Sequence, residues 1–153
     1  MPDPRKALKR DTKAISAING DRRPVIGHPT VRTLVVDLDG EVIGVIQYAP
    51  TSEPGSAMLQ CLHVREDHRG EGYGSALMTS AIDDLRKRGF TRATLLVDEL
   101  NVRAIRLYER LGFTDDGAKQ RAMMDRRLPS MHIVVLLHYS MNLSTPRMVR
   151  STT

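Results

Sequence analysis

The chain has 153 residues, 41% hydrophobic and 27% charged, which suits one domain able to bury a real core. No apolar run reaches membrane-spanning length, and the Met-Pro-Asp-Pro start leads into Arg and Lys, so neither a spanning helix nor a secretory signal is expected. Cys61 is the sole cysteine, which excludes an intrachain disulfide and a cysteine-built zinc site and fits a reducing, cytoplasmic setting.

The net charge of +5 is uneven. Residues 1–23 carry seven basic and three acidic side chains, residues 24–116 ten and fourteen, and residues 117–153 six and one. Basic ends attract nucleic acid or acidic partners. No aromatic side chain that could stack on bases lies beside these basic residues in the sequence, so they read as solvated surface, and nucleic acid is not the expected partner.

Residues 1–4, with Pro2 and Pro4, read as loose chain. Arg5 to Ile18 reads as a short helix with Ala7, Leu8, Ile15 and Ile18 as its apolar points, ended by Asn19-Gly20. Asp21 to Thr30 carries Pro24, Gly27 and Pro29 and reads as loop. Thr33 to Leu38 and Val42 to Tyr48 are rich in β-branched residues, and Asp39-Gly40 between them signals a hairpin. Pro50 to Gly55 is a turn-rich connection into a third strand, Ala57 to Val64.

A helix from about Gly72 to Arg88 follows. Leu77, Met78, Ala81, Ile82 and Leu85 mark its apolar face, and Thr79, Ser80, Asp83, Asp84, Arg86 and Lys87 its polar face. Gly89 stands where a left-handed residue ends a helix. Arg92 to Val97 reads as a buried strand, completing a βαβ unit. Asn101 is a favoured N-cap for a helix running to Leu111, with Ala104, Ile105, Tyr108 and Leu111 on one face. Asp115 to Ser130 admits two readings, a strand at about Gln120 to Asp125 or an active-site loop. His132 to Tyr139 is a final strand, and the polar tail from Asn142 is expected to fray. There is no internal repeat.

Between the third strand and the central helix, Gly70, Gly72 and Gly74 alternate. Glycine lets a ligand approach the backbone, and the first amides of a helix carry partial positive charge without intrahelical partners. Arg69 adds a full charge, so the turn suits a phosphate or pyrophosphate. The spacing is not the Gly-x-Gly-x-x-Gly of dinucleotide folds, and no Gly-Lys-Ser/Thr follows. A tight connection that binds nothing is the other reading of this stretch alone.

At these residues the chain resembles the GNAT superfamily of N-acetyltransferases. Arg69, Gly72 and Gly74 match its Arg/Gln-x-x-Gly-x-Gly/Ala pyrophosphate loop, and Asn101 to Phe113 is similar to its late helix, with Asn101, Ala104, Tyr108 and Gly112-Phe113 in order. The resemblance runs from about Leu59 to Phe113. It implies an α/β (α+β) fold, and with the chain length and the proline-rich and polar ends the expectation is a single domain over 1–153, its core at about 30–140 and its ends at 1–4 and 142–153 flexible. Its mixed, mostly antiparallel sheet would be flanked by helices, with strands splayed around Val64 and Val97 to hold acetyl-CoA. It implies direct transfer of an acetyl group to a primary amine of a small molecule or protein.

The resemblance also implies residue roles. Arg69, Gly70, Glu71, Gly72, Tyr73, Gly74 and Ser75 would hold the pyrophosphate. Backbone groups at Leu62, His63 and Val64 would pair with the pantetheine arm and polarise the acetyl carbonyl. Asn101 would hydrogen-bond the cofactor, alone or besides capping its helix. Tyr108 would protonate the departing thiolate; a core tyrosine is the alternative.

The family pattern is incomplete. The strand glutamate of histone-type members is replaced by Met58, leaving His63, Glu99 or water as candidate bases. The N-terminus looks short, with no clear first strand. Cys61, next to the carbonyl site, reads as a structural cysteine rather than an acetyl carrier. The histidines at 28, 63, 68, 132 and 138 show no metal-ligand spacing, so no metal is expected.

The acidic middle mildly suits cationic amine acceptors, and family members often form homodimers. Two other readings stay open: a non-catalytic CoA- or nucleotide-sensing module on the same fold, and a nucleic-acid-binding protein using its basic ends.

Overall fold

The computed structural model describes residues 2–20, 26–124 and 132–144. The fold is mixed α/β, with a seven-stranded, mostly antiparallel sheet flanked by helices. The chain forms two compact units, one from residues 1–93 with the stretch from Asn142 onward, the other from residues 94–141.

In the first unit the strand order is β1-β2-β3-β4. Here the helix expected from Arg5 is corrected. Arg5–Lys6 is a short strand, β1, paired antiparallel with β2 (Arg32–Leu38), Arg5 opposite Val35. A 3-10 turn spans Lys9–Asp11, and helix α1 begins only at Thr12 and ends at Ile18. The Arg5 guanidinium sets this start: it donates to Asp11 at 2.9 and 3.1 Å and to Asp37 at 2.9 Å. Asp11, 4% exposed, also accepts the Leu8 amide at 2.7 Å. Ile15 of α1 is fully buried with Val35, Val42 and Val45, and Ala7, Ala14, Ile18 and Ile26 pack around them.

The β2–β3 hairpin forms as read, with β3 running Glu41–Pro50. Asp39 and Gly40 have φ of +52° and +90°, and Leu38 faces Glu41 across the two-residue loop. Positive φ at both central residues is what a type I′ turn requires. All residues from Val42 to Tyr48 are buried.

Strand β4 (Ser56–Val64) pairs with β3, but the register slips: Gln60 faces Gln47 while His63 faces Val45. Cys61 and Leu62 therefore oppose Ile46 alone, a β-bulge, and Cys61 takes φ of +56°. No residue pattern announced it.

Helix α2 (Tyr73–Lys87) buries Leu77, Met78, Ala81, Ile82 and Leu85, the face read from the sequence. It lies close on the sheet, since a Cβ at Gly44 would stand 3.0 Å from the Leu77 side chain. Its end is a Schellman motif: the Phe90 amide donates to the Leu85 carbonyl and the Gly89 amide to Arg86, both at 3.0 Å. Asp84 is not simply solvated, as its polar-face assignment implied. It accepts the Tyr48 hydroxyl at 2.7 Å and pairs with Arg32 at 3.2 Å and Arg88 at 3.5 Å. The fraying expected from Asn142 is corrected as far as Ser144: Leu143 is buried and its amide donates to the Thr91 carbonyl at 2.8 Å. The rest of the tail lies outside the described residues.

The second unit holds β5 (Arg92–Asp98, its first two residues in the first unit), α3 (Val102–Leu111), β6 (Thr114–Met124) and β7 (His132–Asn142, its last residue in the first unit). Its strand order is β5-β7-β6. The ambiguous stretch after Phe113 is a strand that starts at Thr114, earlier than the Gln120 considered, and Asp125 to Ser130 lie outside the described residues. The register shifts between Asp115 and Lys119, so that Asp116, Gly117 and Ala118 bulge opposite His138. Asp116 there lies 2.6 Å from His138 Nδ1 and accepts the Ser140 hydroxyl at 2.6 Å.

Candidate functional site

In the first unit, the candidate site is the connection from β4 to α2. After Val64 the chain makes a 3-10 turn over Glu66–His68, is extended at Arg69, and turns through Gly70 (φ +81°) and Gly72 (φ +93°) into α2. Gly72 is the N-cap residue in the left-handed region, which a side chain resists. The first helical hydrogen bond runs from the Ala76 amide to the Gly72 carbonyl at 3.0 Å. The amides of Tyr73, Gly74 and Ser75 precede it, and glycine offers no side-chain cap to cover them.

Helix α3 makes the contrast. Its N-cap Asn101 accepts the Ala104 amide on Oδ1 at 3.2 Å, so this helix covers its own end.

Arg69 is exposed, and its Nε donates to the Val64 carbonyl at 3.1 Å, joining the two ends of the turn. Arg65 donates to both Asp67 oxygens at 2.7 and 2.9 Å and to Glu41 at 3.3 Å. The Asp67 bond raises the Arg65 pKa, and the Arg65 bond lowers that of Asp67. His68 Nδ1 lies 3.1 Å from Glu71 Oε2, and the His68 ring meets Tyr73 edge-on at 6.1 Å.

Arg69, Gly70, Glu71, Gly72, Tyr73, Gly74 and Ser75 are thus contiguous at the start of α2, with Leu62, His63 and Val64 leading into them along β4. Leu62 stands in the bulge without a Cα partner on β3, while His63 and Val64 face Val45 and Gly44. All three are half-buried. The sequence reading missed the bulge, for which there was no signal. It also missed the His68–Glu71 contact, which the i,i+3 spacing of the two residues could have suggested.

In the second unit, Asn101 and Tyr108 share α3. The half-buried Tyr108 ring packs edge-on against Phe113 at 6.2 Å. Among the described residues its hydroxyl has no hydrogen-bond partner. Burial raises its pKa, so the phenol keeps its proton through neutral pH. A protonated phenol without a protein acceptor is available to donate. Glu99 is exposed in the turn before α3, its amide donating to the Val135 carbonyl at 3.0 Å.

Among the described residues no group of three or more His, Cys, Asp or Glu side chains is placed to hold a metal ion. No described helix is long and apolar enough to cross a membrane.

Residues 5–113 match the profile of the acetyltransferase (GNAT) family. Over 87 residues, 54% of this chain and 38% of the relative, the sequence is 32% identical to N-acetyltransferase family 8 member 2 of Rattus norvegicus. The matched stretch is thus well under two thirds of that relative's length. The ribosomal-protein-S18-alanine N-acetyltransferase of Escherichia coli superposes with a TM-score of 0.77 at 22% identity, covering 94% of this chain and 95% of that one. A putative acetyltransferase from Salmonella typhimurium, solved with its cofactor acetyl-CoA, superposes with a TM-score of 0.72 at 23% identity, covering 92% of each chain. These two likenesses carry the fold.

Proposed function

The chain belongs to the acetyltransferase (GNAT) family, and from that premise we propose that it transfers the acetyl group of acetyl-CoA directly to a primary amine of a small molecule or a protein. The observation that carries the donor half is the uncovered start of α2. Gly72 leaves the amides of Tyr73, Gly74 and Ser75 without a side-chain cap, and Arg69 adds a cation at the same turn. An anion is the natural partner of such an end.

Acetyl-CoA supplies the thioester whose acetyl group moves. The residues divide the remaining tasks. The turn from Arg69 to Ser75 binds the pyrophosphate. Backbone groups of Leu62, His63 and Val64 orient the pantetheine arm and polarise the acetyl carbonyl, and the bulge at Cys61-Leu62 takes Leu62 out of the regular ladder with β3. Asn101 caps α3 and is the residue that would hydrogen-bond the cofactor. Tyr108 Oη gives its proton to the departing sulfur. The acceptor amine arrives neutral or loses its proton to water, His63 or Glu99.

Calorimetric titration with acetyl-CoA and with CoA tests the donor half. Binding in the wild type that disappears in Gly72→Asp supports it, and an amine screen then follows. No binding to either ligand overturns the acetyltransferase reading for this chain.

A further inference from the structure

The connection between β4 and α2 carries Glu66, Asp67 and Glu71 against Arg65 and Arg69, an excess of one carboxylate. For a stretch assigned to a phosphate this balance is adverse. His68 alone can change it: protonated, it brings the stretch to neutrality.

The contacts distribute these charges. Arg65 is engaged by Asp67 at 2.7 and 2.9 Å and by Glu41 of β3 at 3.3 Å. Glu71 stands one residue before the Gly72 cap, next to the positive end of the α2 dipole, which attracts a carboxylate just as it attracts a phosphate. Instead, Glu71 Oε2 lies 3.1 Å from His68 Nδ1. The histidine is the anchored partner: its side chain is 21% exposed against 50% for Glu71, and its ring packs edge-on against buried Tyr73 at 6.1 Å.

We propose that His68 is a positioning residue for the donor's phosphates, holding the Glu71 carboxylate off the first amides of α2 and strengthening anion binding when protonated. This rests on the reading of the turn as the CoA phosphate site. The groups facing His68 are Asp67, 3.9 Å from its Nε2, and Glu71 from its own turn, and Tyr73 from α2. Arg65 and Glu41 stand one step out, through Asp67, and Arg69 follows in sequence. Histidine changes charge between about pH 5 and 8. Protonation of His68 removes the turn's excess negative charge and makes the hold on Glu71 charge-assisted, so the protonated form binds CoA more tightly. The contact is exposed, which keeps the effect to about two- to fivefold in Kd.

The test is calorimetric titration with CoA at about pH 5.5 and about pH 8 on the wild type, His68→Gln, Glu71→Gln and, as a site control, Gly72→Asp. The ligand's own titration cancels between variants at one pH. The expected result is a wild-type advantage over His68→Gln of about two- to fivefold at the lower pH that shrinks at the higher. Glu71→Gln should bind more tightly than the wild type at the higher pH and remove most of the difference His68 makes. Equal pH dependence in wild type and His68→Gln, with binding intact, overturns this proposal and leaves the site reading standing. Absence of wild-type binding at both pH values overturns the site reading, and this proposal with it.

Discussion

The Tyr48 hydroxyl donates to the Asp84 carboxylate at 2.7 Å, tying β3 to the last turns of α2. Tyr48 is fully buried, and burial, followed by this bond, raises its pKa far above the ordinary phenol value. Asp84 has Arg32 and Arg88 beside it as well. Tyr48→Phe removes one charge-assisted bond but leaves Asp84 its two cations, so it should cost about 1.5 kcal/mol. Asp84→Ala strands the buried hydroxyl and should cost more, about 3 kcal/mol. Urea denaturation of both variants checks the order; equal losses, or none, would deny the pair its role in seating α2.

Arg5 and Asp11 make the same kind of argument at the N-terminus. Arg5's hydrogen bond, then the Leu8 amide, holds the Asp11 pKa below the usual carboxylate value, against the opposing effect of burial. A depressed folded pKa contributes stability that is present above the unfolded value of about 3.9 and lost as pH falls through the folded one. The wild type should therefore lose stability relative to Asp11→Asn as pH drops below about 4. At neutral pH, Asp11→Asn should be less stable by about 2 kcal/mol. Thermal melts of both proteins from neutral pH to about pH 2.5 read the difference; a constant gap across that range would exclude the linkage.

What the sequence disclosed was what short-range chemistry determines. The apolar spacing of Leu77, Met78, Ala81, Ile82 and Leu85 defined the buried face of α2, Asp39-Gly40 demanded its turn, and Gly89 and Asn101 ended and began helices where read. Interactions between distant residues stayed hidden. Asp84 looks like any polar-face residue until Tyr48 and Arg32, far away in the chain, are brought to it. Thr114 to Ala118 carries polar residues without alternation, because Asp116 to Ala118 bulge and Asp116 is satisfied by His138 and Ser140 on β7. The family motif named the turn at Arg69–Ser75, yet the His68–Glu71 pair inside it and the Cys61 bulge before it come from folded geometry alone.

Gly72 has φ of +93°, a conformation costing an ordinary L-residue about 1–2 kcal/mol. Asparagine tolerates the left-handed region better than most side chains and carries no charge. Gly72→Asn should therefore weaken CoA binding moderately through crowding. Gly72→Asp adds a carboxylate at uncovered amides and should lose at least a further tenfold, roughly, in affinity. Calorimetry on both, alongside a melt to show that each is folded, separates charge from strain. Equal affinities in the two variants would mean that no phosphate sits at this cap.

Tyr108 offers the sharpest separation of binding from chemistry. Its ring contributes packing against Phe113, while its hydroxyl has no hydrogen-bond partner among the described residues. Tyr108→Phe keeps the ring and removes only the proton donor. Stability and CoA affinity should hardly move, whereas loss of a general acid lowers turnover by about 10²–10⁴-fold. Because burial raises the phenol's pKa, the wild-type alkaline limb from this group should lie above about pH 10 and vanish in the variant. Once an acceptor amine is found, steady-state kinetics across pH provide the test. Turnover unchanged in Tyr108→Phe would leave the tyrosine a packing residue and require another proton source for the departing thiolate.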